Sequence, residues 1–385
     1  MRVLFLTFQF PFPPDNGARI KTLSILEYLR PRHSLSVRCL TRQAPDAEQR
    51  RWADGFGDVG WAVLDRGRNP LNLARSYLSG VPLSVERNRS AEMSRLVGEA
   101  VGGGPYEAVF VDGWLMAQYL PEGLAGRKLL HEHNEEYVIW ERQAGLDANA
   151  VRRLVTEGEA RRVKAYEAGI LPRFDAAFAV SEQDREALVA IGADPARTRV
   201  LPNVPEASLL DMPPLSFEDS QPVILYFGTL SWQPNIEGLE RFIGEIFPLV
   251  RNESPQARLL VAGRGAPPEL VRLGRGAPGV DFLGPAPDAE ALYREARVFV
   301  EATRSGGGTK LKILNALARG LPVVASVEAA EGIEATAGEH LLIAADDETI
   351  AADTVRLLSD AALWAKLSAN GQALVRAQYV AEKAF

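Results

Sequence analysis

The residues best suited to chemistry lie between Arg304 and Asn315, where the chain reads Arg-Ser-Gly-Gly-Gly-Thr-Lys-Leu-Lys-Ile-Leu-Asn. The apolar run before them, Arg297 to Thr303, reads as a buried strand, and Leu311, Leu314, Leu317 and Ala318 recur at helical spacing after it. Gly306, Gly307 and Gly308 then form a strand-to-helix turn, with Thr309, Lys310 and Lys312 in or beside the first helical turn. Lysines placed there face the positive end of the helix dipole, which is unfavourable by a few tenths of a kcal/mol. A bound phosphate reverses the sign, because helix N–H groups and ammonium groups then point at negative charge. The alternative is a turn whose glycines answer only a backbone need, with the lysines in water. A nucleotide-triphosphatase loop is excluded: it needs Gly-Lys followed by Ser or Thr, and here Thr309 precedes Lys310.

Two further clusters carry residues of chemical interest. Gly263 and Gly265 follow an apolar run, but Pro268 stands where a dinucleotide fingerprint needs its third glycine, so a nicotinamide cofactor is not expected. Arg264 in that turn either reaches a phosphate or sits in water. His131 and His133 alternate at a strand end with no third ligand at a metal spacing, so no metal is expected.

These residues need elements to position them. The chain has 385 residues, 46% of them hydrophobic, enough to bury a large core and to divide into two domains. Short apolar runs alternate with helical stretches throughout, which implies parallel sheets covered by helices. Strands are expected at Arg2 to Phe8, Leu35 to Leu40, Ala108 to Asp112, Lys128 to His131, Ala176 to Val180 and Arg199 to Leu201. The second half restarts the pattern at Val223 to Phe227, Arg258 to Ala262, Val280 to Leu283, Val298 to Glu301, Pro322 to Ala325 and His340 to Ile343. The proline-rich stretch between them predicts domains at 1–205 and 223–385 joined by a linker at 206–222, with the last helix able to cross back to the first domain. Ligands of such sheets bind outside the carboxyl ends of the strands, in a cleft.

The one cysteine, Cys39, lies in an apolar alternation and is expected to be buried in a strand. No run is long enough to span a bilayer, which places the protein in the cytoplasm. The formal net charge of −7 argues against a nucleic-acid binder. Residues 1 to 75 nevertheless carry 12 Lys and Arg against 7 Asp and Glu, so peripheral contact with the inner membrane face is a further reading.

Several strings fall in an order that resembles the retaining glycosyltransferases of the GT-B fold, family 4 type, in the subgroup with a Gly-Gly-Gly-Thr-Arg or Lys loop. They are Pro14 to Lys21, His133 to Trp140, Ala179 to Asp184, Leu201 to Asn203, Phe227 to Asn235, Val261 to Gly263, Phe282 to Gly284 and the Arg304 segment. The resemblance implies two Rossmann-like domains around a cleft and transfer of a sugar from a UDP- or GDP-sugar to a glycan, lipid-linked or small-molecule acceptor. It implies no resident cofactor and no metal. Position by position, Gly17 lets the backbone approach the donor or acceptor, and His133 hydrogen-bonds the transferred sugar. Phe282 and Leu283 hold the nucleobase edge, the Gly306 to Lys310 loop cradles the diphosphate, and Gly228 and Thr229 line the donor. Arg304, Lys310, Lys312 and Arg264 supply positive charge. Asn16, Arg19 and Glu135 are the acceptor-side candidates.

Two departures from the family pattern stand out. Gly307 and Asn315 occupy the positions where many relatives carry glutamates, and a neutral amide accepts ribose hydroxyl protons less well than a carboxylate. Thr229 and the Gln233-Pro-Asn235 stretch stand where relatives carry an arginine and a lysine. A non-catalytic sugar-nucleotide-binding or partner protein of the same fold is the alternative reading.

Overall fold

A computed structural model of the chain describes residues 1–64, 70–146, 149–286, 289–305 and 308–385. The chain divides into two units, Met1–Pro202 together with Phe385, and Asn203–Ala384.

The first unit is built on seven parallel strands: β1 (Arg2–Thr7), β2 (Ser34–Thr41), β3 (Asp58–Val63), β4 (Ala108–Asp112), β5 (Arg127–His131), β6 (Ala176–Ala179) and β7 (Thr198–Val200). Their order across the sheet is β3-β2-β1-β4-β5-β6-β7. Strands β1 and β4 are near-continuous apolar runs because helices cover both faces: Leu4, Phe5, Leu6, Val109 and Val111 are fully or almost fully buried. Burying each such side chain contributes about 1.5–3 kcal/mol. Strand β3 falls outside the twelve expected strands. It is one edge of the sheet, mostly half-buried, and Asp58 and Gly60 interrupt its apolar residues. Cys39 is buried in β2 beside Phe10 and Ala53 as expected, and burial pushes its thiol pKa well up.

The second unit carries β8 (Val223–Phe227), β9 (Arg258–Ala262), β10 (Val280–Gly284), β11 (Val298–Glu301), β12 (Val323–Ser326) and β13 (Leu342–Ala344), in the order β10-β9-β8-β11-β12-β13, again all parallel. The expected linker proves to be part of this unit. Leu209 and Leu210, on the short helix Ser208–Asp211, are buried in its core, and Arg297 donates to the carbonyls of Phe217 (3.2 Å) and Ser220 (2.6 Å). Proline content signalled an irregular backbone there, but two leucines and a partly buried arginine bind it to the sheet. At the other end of the chain, Phe385 packs on Tyr28 of the first unit, with ring centroids 5.0–5.1 Å from the Lys21 ammonium and the tyrosine ring.

In each sheet the chain reverses its direction of growth once, between β1 and β4 and between β8 and β11. Loops leaving the two strands at such a point diverge to opposite faces and open a crevice at their carboxyl ends. Thr7 and Asp112 end the first pair; Phe227 and Glu301 end the second.

Candidate functional site

In the first unit, parallel register sets Thr7 of β1, Asp112 of β4 and His131 of β5 in one row. Asp112 is fully buried, and its two carboxylate oxygens accept four hydrogen bonds. Oδ2 accepts from the hydroxyls of Thr7 (2.9 Å) and Thr22 (2.6 Å), the latter from the helix Gly17–Leu29. Oδ1 faces His131 Nδ1 and His133 Nε2, each at 2.8 Å. Burial pushes the Asp112 pKa up, but the His133 imidazole and the hydrogen bonds from both histidines outweigh it and hold the carboxyl well below its usual range. An ionised Asp112 only accepts, so both imidazole nitrogens facing it donate. Burial lowers the His131 pKa to about 3 and keeps that ring neutral, with its Nε2 buried and unpartnered.

His133 is the more exposed of the pair; its ring lies edge-on to Phe8 (centroids 5.3 Å apart) and 4.6 Å from the His131 ring. Asp112 thus fixes which nitrogen of His133 carries a proton and where the ring points, the usual role of a carboxylate behind a working histidine. Asp112 also supplies the third ligand type that the sequence spacing lacks: one ligand atom each from Asp112, His131 and His133 lies within 4.8 Å of the others. In this structure Asp112 Oδ1 accepts from one nitrogen of each histidine.

Several buried carboxyls surround this row. Burial raises the Glu136 pKa to about 7 against the opposing effect of His133. It raises that of Glu167 to about 8, although Glu167 accepts from the N–H groups of Glu136 (3.1 Å) and Tyr137 (3.0 Å) at the start of the helix Glu136–Leu146. Glu135, an expected acceptor-side residue, is 2% exposed, with its pKa pushed well up by burial and by its hydrogen bond to Asp184. Its carboxyl belongs to the interior. Asn16 and Arg19 also have local work: Asn16 caps the helix Gly17–Leu29 by accepting from Arg19 N (3.0 Å), and Arg19 pairs with Asp15 (2.8 Å). Gly17 differs. A Cβ there meets nothing within 4 Å and its φ is not in the left-handed region, so the fold itself does not require a glycine at this helix start.

Lys21, at the end of the Pro14 to Lys21 string, is 1% exposed and donates to the carbonyls of Leu201 (2.8 Å) and Pro202 (2.5 Å). Burial lowers its pKa to about 7, against the pull of Asp112.

In the second unit the loops leaving β8, β9 and β10 are locked together through glycines. Gly228 N donates to Ala262 O (3.1 Å) and Gly263 N to Gly284 O (2.8 Å). Gly263 has φ +152°, and a Cβ on it would lie 1.8 Å from Gly228 O, so no other residue fits. This close approach is the reason for the glycine that the fingerprint search met. Thr229 O accepts from Asn235 (2.6 Å). Phe282 packs against the core, while Leu283 is 49% exposed at the end of β10. Arg264 is exposed.

The helix Leu311–Arg319 begins at Lys310 with no side-chain cap on its first N–H groups. Its far end is fixed by Gly320 in the left-handed conformation and by a two-pronged pair between Arg319 and Glu290 (both 2.6 Å). Lys310 is 5% exposed and donates to Gly308 O (3.1 Å), which places a buried ammonium at the positive end of a helix. Thr309 donates to Gly332 O (3.1 Å). Gly306 and Gly307 lie outside the described residues.

Three other expected charge or polar groups are engaged within the unit. Lys312 forms an ion pair with buried Glu301 and donates to Asn235 Oδ1 (2.7 Å) and Tyr226 OH (3.0 Å), so its charge is already balanced. Arg304 is 55% exposed and shares Asp347 with Arg241. Asn315 is 8% exposed, and the carbonyl oxygen expected to meet a ribose accepts instead from Glu206 N (3.1 Å).

The sequence reading missed Asp112 and Glu136 as parts of the His133 environment. Nothing local marks Asp112, the last residue of Ala-Val-Phe-Val-Asp; only strand register brings it to the histidines.

Comparisons with known proteins agree with this architecture. The HepE protein of Anabaena, solved with UDP and glucose, superposes with a TM-score of 0.68 at 17% identity, covering 100% of this chain and 97% of that one. Sucrose-phosphate synthase of Thermosynechococcus elongatus gives 0.68 at 20% identity, covering 100% and 96%. A 44.6 kDa protein of the cps region of Klebsiella pneumoniae is 22% identical over 399 aligned residues, covering 100% of this chain and 98% of that protein. The fold is GT-B, with two Rossmann-like parallel-sheet units. Residues 16–204 match the model of the glycosyl transferase 4-like domain and residues 221–360 that of glycosyl transferases group 1, and with both units so matched the chain belongs to these glycosyltransferases.

Proposed function

We propose that the protein is a retaining, metal-independent glycosyltransferase that moves a hexose-type sugar from a UDP- or GDP-sugar to a glycan or lipid-linked acceptor in surface polysaccharide synthesis. The observation that carries this reading is the uncapped start of the helix Leu311–Arg319 with the buried ammonium of Lys310 upon it. A cation at a helix start suits an anion, and a diphosphate is the anion a glycosyltransferase holds. HepE's complex with UDP and glucose makes UDP-sugars the first donors to test, and the cps-region relative supports the polysaccharide setting.

Breaking the bond between sugar and phosphate leaves positive charge on the ring and extra negative charge on the departing diphosphate. Helix amides and Lys310 stabilise that charge more in the transition state than before it, which is the binding that accelerates a reaction. His133, oriented by Asp112, hydrogen-bonds the sugar. In the retaining reading the departing phosphate oxygen takes the acceptor proton, so no protein base is needed.

The balanced charge of Lys312 and the occupied carbonyl of Asn315 favour one rival, a nucleotide-sugar-binding protein without turnover. A mass-spectrometric screen with UDP-, GDP- and dTDP-sugars separates the two. Slow donor hydrolysis or transfer with retained anomeric configuration, unaffected by EDTA, is expected; tight binding with no turnover for any donor establishes the rival, and inversion or loss of activity with EDTA removes the corresponding part of the proposal.

A further inference from the structure

The helix Glu136–Leu146 begins with one carboxyl more than it needs. The N–H groups of its first two residues, Glu136 and Tyr137, are both taken by a single side chain from another helix, since Glu167 of Ala150–Ile170 accepts them at 3.1 and 3.0 Å. A carboxylate there suits the helix dipole, and Glu167 fills that place. Glu135 is buried and turned to Asp184. Glu136 remains: its side chain is half-buried, and among the described residues its carboxyl makes no hydrogen bond and no ion pair.

Stability gives that carboxyl no reason to be there. Glu132 and Glu167, each 1% exposed, lie within electrostatic reach and repel it, while His133 draws out its charge. A half-buried carboxyl without a partner costs free energy, and groups of this kind gather where a ligand brings the partner. Glu136 and His133 are the partly exposed members of their set, for Asp112, His131, Glu132, Glu135 and Glu167 are each at most 2% exposed. Both follow the carboxyl end of β5 within five residues, so one bound molecule can meet the two. The charge there is negative, because Asp112 is ionised and Lys21 offsets only one of the carboxylates. Such a place repels a phosphate or carboxylate and attracts the proton of a hydroxyl.

We infer, resting on the glycosyltransferase reading above, that the Glu136 carboxylate meets the acceptor. It accepts a hydrogen bond from the hydroxyl that attacks the sugar, and it selects acceptors that carry no negative charge beside that hydroxyl. In the transfer the bond from the sugar's anomeric carbon to the phosphate oxygen breaks, a bond from that carbon to the acceptor oxygen forms, and the acceptor proton leaves on the departing phosphate. Glu136 ends the step as it began, having held the hydroxyl in line for attack.

The test uses the full chain above the Glu136 pKa of about 7, with whichever donor of the screen is consumed fastest. Methyl glucoside and methyl glucuronoside, which differ by a carboxylate, are supplied together in equal excess, and their glycosylated products are compared by mass spectrometry. The product ratio does not depend on how much of the protein is folded. Wild type should favour methyl glucoside at least about tenfold, the scale of a modest like-charge penalty. Glu136→Gln should bring the ratio to within about twofold of unity and lower total transfer, with nucleotide affinity unchanged; Glu136→Ser reads the same ratio should the glutamine variant not fold. Glu141→Gln, which removes an exposed carboxylate from the same helix, should leave the ratio at the wild-type value. A wild-type ratio near one, or a ratio that the Glu136 variants leave unchanged, overturns the inference while the transferase reading stands. So does a wild type that hydrolyses the donor and glycosylates neither glycoside. A wild type that consumes no donor removes the reaction itself, and the inference with it.

Discussion

At the carboxyl ends of β1, β4 and β5, charge is buried and shared among side chains; at those of β8 and β11, it stands on a turn and a helix end. In the first unit one ionised carboxylate, Asp112, collects two hydroxyls and two imidazoles and has Lys21 within electrostatic reach. In the second, Lys312 is balanced by Glu301, and buried Lys310 stands at the start of a helix to which it lends no side-chain cap. Both arrangements occupy the point where a parallel sheet reverses its growth. The same topology therefore carries a histidine held by a carboxylate in one unit and a lysine at a helix start in the other. The difference is one of construction: the first is a network assembled from separate strands, the second a run of consecutive residues at one helix start.

Removing Asp112 is the largest way to break the first arrangement. Asp112→Ala leaves two imidazoles and two hydroxyls facing a void, and loss of one partner from a buried charged network costs about 3–5 kcal/mol. Urea unfolding of the full chain should show that loss in the transition of the first unit. A change under about 1 kcal/mol would mean that water replaces the carboxylate without penalty and that the row is not a network.

Next comes a crossed pair that sharpens the contrast. His133→Ala should lower turnover per folded molecule on the order of 10²-fold, as misplacement of a positioning group does, while nucleotide affinity stays within a few fold. Lys310→Ala should do the reverse, weakening nucleoside diphosphate binding by about 1.5–3 kcal/mol, the range for hydrogen bonds to charged groups. Calorimetry and single-turnover rates read the two separately. Equal effects of both variants on both quantities would erase the division of labour.

How much of this was legible in the sequence follows from the same contrast. The helix start at Lys310 could be read because it is local: Gly308, Thr309, Lys310 and the helix are consecutive. His133 was singled out only through resemblance. Asp112 was not legible at all, since its meaning comes from pairing with a strand nineteen residues later. The sheets were read well because strands buried on both faces are continuous apolar runs; β3 escaped because Asp58 and Gly60 interrupt its run. Burial of Glu135 and capping by Asn16 were equally invisible, for each depends on what packs around a polar residue and not on the residue itself.

Proton linkage is a smaller effect and belongs to the first unit. Glu136 has its folded pKa raised to about 7 from an unfolded value near 4.5. Between those values the folded state binds more protons than the unfolded one, so this group makes stability fall as pH rises from about 4.5 through 7, after which its contribution is flat. Glu167, at about 8, extends the decline; His131, lowered to about 3, acts oppositely and only below its unfolded value near 6.5. Glu136→Gln should remove part of the fall, on the order of 2 kcal/mol between pH 5 and 8. Parallel curves for wild type and variant would show that Glu136 titrates as an ordinary surface carboxylate.

The smallest expected effect probes whether Asn315 belongs to the anion cradle or to the scaffold beneath it. Its carbonyl accepts from Glu206 N, and its neighbours on the helix, Leu314 and Ala316, are fully buried. If that hydrogen bond is its work, Asn315→Leu should lower stability by about 1 kcal/mol, the net worth of one such bond, and leave UDP and GDP affinity within about twofold, since 1.4 kcal/mol is needed for tenfold. Asn315→Glu then gains nothing for nucleotide, because the new carboxylate meets the same backbone N–H. A ribose contact gives the opposite pattern. Affinity drops with leucine, rises with glutamate, and the wild type discriminates between ribo- and dideoxyribonucleotides. Calorimetry with those two nucleotides on the wild-type protein decides it before any variant is made, and strong discrimination would return Asn315 to the donor site.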